Sequence, residues 1–81
     1  DGIDEQLLEL LAKRMRISRE IGVYKKEHNM PILQSPRYSE ILEKRSNMGE
    51  QMDLSTDFVK EILKEIHEES VRQQMIIMNE Q

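Results

Sequence analysis

The chain has no cysteine and no tryptophan. Without cysteine there is no disulfide, no thiolate nucleophile and no zinc–thiolate centre. That composition is compatible with a reducing compartment, and a cytoplasmic location is expected. Aromatic residues are scarce too, two tyrosines and one phenylalanine, while 35% of residues are charged. This balance suits a helical bundle better than a sheet. No apolar run approaches the length that spans a bilayer, and no signal peptide is visible, so no membrane partner is expected. An excess of positive charge is missing as well. The formal net charge is -4, which argues against a general nucleic-acid footprint. Also lacking are metal-ligand spacing, a Ser–His–Asp order, paired acids for glycosyl transfer and a phosphate-cradling glycine loop. The expectation is a protein that uses neither metal nor cofactor.

What is present is helical periodicity. The 81 residues suffice for one small domain, residues 1–81, whose core is marginal enough that oligomerisation is a usual remedy. The chain starts at Asp1 already inside a helical pattern, so it is expected to be excised from something longer. Ile3 to His28 contains no proline and reads as one helix, ended by Asn29-Met30-Pro31, because the residue before proline avoids helical angles and Asn tolerates the left-handed region. Ser35 and Pro36 read as N-cap and first position of a second helix that carries Tyr38, Ile41, Leu42 and Met48 and stops at Gly49. A third helix starts at Ser55 or Thr56 and runs nearly to the end. The order is long, short, long, in an all-α fold.

The informative residues are polar ones on apolar faces. At about 100° per residue, Ile3, Leu7, Leu8, Leu10, Leu11, Met15, Ile17 and Ile21 share one arc of the first helix. Arg14 projects between Ile21 and Leu7, Ser18 between Leu7 and Leu11, and Lys25 on the line of Leu7. Arg14 and Lys25 therefore lie one above the other, about 16 Å apart. Cations in a core-facing stripe are costly unless something anionic meets them. Arg37, Arg45, Ser70 and Gln74 join them on or beside the faces of the other helices. Such a set of cations and neutral donors suits an anion with two carboxylates, since guanidinium groups bind carboxylates bidentately. Any catalysis would work through positioning and electrostatics, not through a nucleophile or proton transfer. Bland readings apply elsewhere: Ser18 as a small packing residue, Arg45 as an interhelical ion-pair partner, the six methionines as core filler.

Four strings carry a resemblance: IDEQLLELLAKR, then Gly22 with Lys25, then PILQSPR, then EESVRQQ. Together they resemble the all-helical AroQ class of chorismate mutase over essentially the whole chain. The variant PILQSPRYSEIL is similar to mutase domains fused to DAHP synthase. The resemblance implies an intertwined homodimer in which the long first helices pair, and the Claisen rearrangement of chorismate to prephenate in aromatic amino-acid biosynthesis. Carried over by position, Arg14 binds a substrate carboxylate, Lys25 donates to the ether oxygen, and Gln74 donates beside it. Arg37 supports carboxylate binding, Ser70 hydrogen-bonds a carboxylate, and the backbone N–H of Gln34 meets the ring hydroxyl. Two departures stand out. A family arginine four to five turns upstream of Arg14 would precede Asp1, and Tyr38 occupies a position where the family often has a hydroxyl-binding glutamate. The tyrosine phenol is expected either to make that hydrogen bond or to pack. An isochorismate-pyruvate lyase on the same scaffold and a non-catalytic dimerisation or regulatory module are the alternative readings.

Overall fold

A computed structural model of the chain describes residues 2–32 and 37–80. The described residues are helical, without strands: α1 Gly2–Glu27, α2 Tyr38–Gln51 and α3 Thr56–Asn79. This is the long–short–long order that the periodicity predicts. The chain divides into two compact units, Asp1–Ile32 with Glu68–Gln81, and Leu33–His67. The long helix α3 contributes its first half to one unit and its second half to the other.

The ends of α1 and α2 are built alike. Asn29 takes the left-handed conformation with φ 55. The Met30 N–H donates to the Lys25 carbonyl at 2.7 Å, and the Asn29 N–H to that of Lys26 at 3.3 Å. This paired closure satisfies carbonyls that have no partner within the helix. At the end of α2 the same role falls to Asp53, φ 64, with Leu54 donating to Gly49 and Asp53 to Glu50. The expectation that α2 stops at Gly49 is therefore corrected: the helix runs two residues further, and a short polar side chain tolerates the left-handed geometry. Gly49 has a different task. A Cβ there would lie 2.7 Å from Cγ2 of Val59, so the missing side chain lets α2 and α3 approach. At its start, α2 has Arg37 in the N-cap position with no side-chain cap; the expected Ser35 cap and Pro36 lie outside the described residues. The Ser55 hydroxyl accepts from the Phe58 N–H at 3.4 Å, which makes Ser55 the N-cap of α3, and the helix starts at Thr56, one of the two expected positions.

Burial follows small residues, not large ones. Among the described residues no apolar side chain is fully buried; the buried positions are Ser18, Gly22, Ser46, Gly49 and Gln74. Four of the six methionines are not core filler: Met30, Met48, Met52 and Met75 are exposed, whereas Met15 and Met78 are half-buried. The apolar arc of α1 divides in two. Leu11, Met15, Ser18 and Gly22 form a covered line, whereas Ile3, Leu7, Leu10, Ile17 and Ile21 are exposed, Ile3 by 76%. Roughly 25 cal/mol is forgone for each Å² of apolar surface left in water, so this stripe contributes little to the stability of the single chain.

Candidate functional site in the α1 and α3 seam

In the first unit α1 packs on the second half of α3 through Gly22. A Cβ on Gly22 would stand 3.2 Å from both Cα of Gln74 and Cβ of Ile77. The backbones are thus close enough for short side chains to meet across the seam. One turn after Gly22, the Lys25 ammonium donates to Oε1 of Gln74 at 3.0 Å. Gln74 is buried, with 7% of its surface exposed, and its amide nitrogen points at Oγ of Ser70, 3.5 Å away. Oγ of Ser70 lies 2.5 Å from Oγ of Ser18. Lys25, Gln74, Ser70 and Ser18 therefore form one polar chain, and no carboxylate belongs to it. The ammonium fixes the amide: with Oε1 taken by Lys25, Nε2 is the end free to donate.

A second chain flanks the first. Nη1 of Arg19 donates to Oε1 of Gln73 at 3.2 Å, Nε2 of Gln73 donates to Glu69 at 2.7 Å, and Nε of Arg72 donates to Glu69 at 2.7 Å. The Gln73 amide, then the Arg72 guanidinium, hold the Glu69 carboxyl below its ordinary value, against an opposing desolvation effect. Further along, Lys26 donates to the backbone carbonyl of Glu80. These contacts fix the register of α3 on α1. Sequence patterning gave no signal for Arg19, Gln73 or Glu69, because each reads as part of a solvated face.

Arg14 is exposed, which corrects the expectation of two cations pressed into a core-facing stripe. The physical reason lies in position along the helix. Arg14 sits one turn before the Ser18–Ser70 contact, whereas Lys25 lies where α3 packs on α1, bonds to Gln74 and is half-buried. In the second unit Arg37 is exposed at the start of α2, where a cation opposes the helix dipole. Tyr38 is half-buried and its ring stacks on His67, centroids 4.2 Å apart and planes 29° from parallel. Nε2 of His67 is buried and has no hydrogen-bond partner among the described residues. Among the described residues Arg45 does not form the expected interhelical pair. It is exposed beside Arg37, Glu40, Ile41, Lys44 and Met48, and a pair that does cross from α2 to α3 is Glu43–Lys60 at 3.4 Å. Gln34 lies outside the described residues. No group of acidic, His or Cys side chains suited to a metal occurs among the described residues, and no described helix is long and apolar enough to cross a membrane.

The family model for chorismate mutase type II matches residues 1–75. A bifunctional chorismate mutase/prephenate dehydratase of Buchnera aphidicola subsp. Schizaphis graminum is 34% identical over 79 residues, 98% of this chain and 20% of the relative. The T-protein of Enterobacter agglomerans is 31% identical over 70 residues, 86% of this chain and 19% of the relative. The T-protein of Haemophilus influenzae is 30% identical over the same length, with the same coverage. The chain thus spans about a fifth of the length of these relatives. No solved structure matches the chain.

Proposed function

This chain belongs to the chorismate mutase type II family, and from that premise we propose that it rearranges chorismate to prephenate at the α1 and α3 seam. The observation that carries this is the Lys25–Gln74 contact of 3.0 Å beside the Ser70 hydroxyl, a cluster of donors without a carboxylate. In this rearrangement one C–O bond breaks as one C–C bond forms within the same molecule, and no proton leaves or enters. Negative charge builds on the ether oxygen. Lys25 and the amide nitrogen of Gln74 donate to it, and fixed donors aimed at developing charge are the strongest device such a site has. Ser70 and Arg14 bind carboxylates. Carried over from the resemblance, Arg37 supports carboxylate binding, the Gln34 backbone N–H meets the ring hydroxyl, and Tyr38 stands where the family often has a glutamate.

The reading extends to assembly. The exposed stripe of Ile3, Leu7, Leu10, Ile17 and Ile21 is covered by α1 of a second copy in an intertwined homodimer, which also encloses Arg14. A fused DAHP synthase is the proposed neighbour, on the strength of PILQSPRYSEIL, and a cytoplasmic setting goes with it. The experiment is a parallel assay of chorismate and isochorismate. Prephenate from chorismate, with isochorismate untouched, is the expected result. Pyruvate from isochorismate alone would assign the lyase instead, and inertness toward both would leave a non-catalytic module.

A further inference from the structure

We propose that Ser18 is a positioning residue that aims the Ser70 hydroxyl at a bound carboxylate; this rests on the reading of Ser70 as a carboxylate ligand. Two buried helical serines make the contrast. Ser46, 1% exposed, donates back to the Leu42 carbonyl of its own helix at 2.7 Å, the ordinary fate of such a hydroxyl. Ser18, 6% exposed, reaches across to Ser70 at 2.5 Å instead. Its place one turn before Gly22, where an added Cβ would stand 3.2 Å from the Gln74 Cα, is what lets so short a side chain span the gap.

Hydroxyl accounting gives the consequence. Ser70 has one proton to donate and two lone pairs to accept. The Gln74 amide occupies one lone pair. When Ser18 donates to the other, the Ser70 proton has to point to a third group, and an arriving carboxylate is that group. In the empty site the Ser70 proton can instead rest on Ser18, so neither hydroxyl of the pair is left without a partner. Exchange between the two states needs only hydroxyl rotation. Donation from Ser18 also polarises Ser70 and strengthens its bond to the anion. No position of the EESVRQQ string reveals this, because the orienting group sits on the other helix.

The test compares chorismate kinetics of the parent, Ser18→Ala, Ser18→Cys, Ser70→Ala and the Ser18→Ala/Ser70→Ala double variant, with helix content and melting temperature measured on each. Cysteine keeps the side-chain shape while giving up the strong donor, so it separates hydrogen bonding from packing. Ser18→Ala and Ser18→Cys should each raise KM about three- to tenfold, the worth of one hydrogen bond, with kcat near the parent value. In the Ser70→Ala background Ser18→Ala should cost nothing further, because the group it orients is gone. Parent-like KM in both single variants, or losses that add in the double variant, overturns the proposal alone. A parent chain that leaves chorismate unchanged overturns the site reading and this proposal with it.

Discussion

Gly22→Ala probes the geometry on which the site depends. The new methyl would meet Cα of Gln74 and Cβ of Ile77 at 3.2 Å, and the Gln74 carbonyl oxygen at 3.5 Å. None of these is the loose end of a flexible side chain, so relief requires α1 and α3 to part by a few tenths of an ångström. Against this stands the helix propensity gained on replacing glycine, about 1 kcal/mol. Overpacking a fitted contact costs about 1–3 kcal/mol, so the net change is a loss of about 1 kcal/mol, which lowers the melting temperature by about 4–8 °C in a domain of this size. The kinetic effect is larger in proportion. The atom displaced is the Cα of Gln74 itself, and misplacing a catalytic donor by about 1 Å costs about 100-fold; a shift of a few tenths should lower kcat/KM about tenfold. Thermal melting and chorismate turnover on the same preparation read both numbers. A variant that melts higher than the parent and turns over chorismate at the parent rate would show that the seam is not tight and would refute the reasoning.

Arg14→Ala should raise KM for chorismate, since it removes a guanidinium that binds a substrate carboxylate; an unchanged KM would remove Arg14 from the binding set. Glu69→Gln tests the flanking chain through pH. The Glu69 carboxyl is held below its ordinary value by Gln73 and then Arg72, so its stabilisation is present above the unfolded value and lost as pH falls through the folded one. Below about pH 4 the parent should therefore lose melting temperature more steeply than the variant, and parallel curves would contradict this. Ile17→Asp places a charge in the exposed stripe of α1, where Ile17 is 46% exposed; sedimentation should show a dimeric parent and a dissociated variant, and equal masses would remove that stripe from the interface.

Much of this was legible because helix ends and periodicity are local properties. Asn29 before Pro31 marks the end of α1, and Ser55 caps α3, each for reasons confined to a few residues. Gly49 misleads for a non-local reason: its missing Cβ accommodates Val59, a contact invisible to helix-end rules, while Asp53 supplies the left-handed turn. Arg14 and Lys25 share a helical line, yet periodicity gives direction along one helix and not where a neighbour's cover stops. That boundary leaves Lys25 half-buried and Arg14 exposed. Ser18 and Ser46 look alike in sequence, and only the partner helix decides that one bonds across the seam and the other backward.

The most direct measurement is the rate of prephenate formation by the parent, Lys25→Ala and Gln74→Ala, each verified as folded to the same extent. Losing one preorganised donor should slow kcat by about 100-fold or more, equivalent to roughly 3 kcal/mol of barrier, in both variants. Parent rates in both would contradict the claim that this pair of donors stabilises the breaking C–O bond.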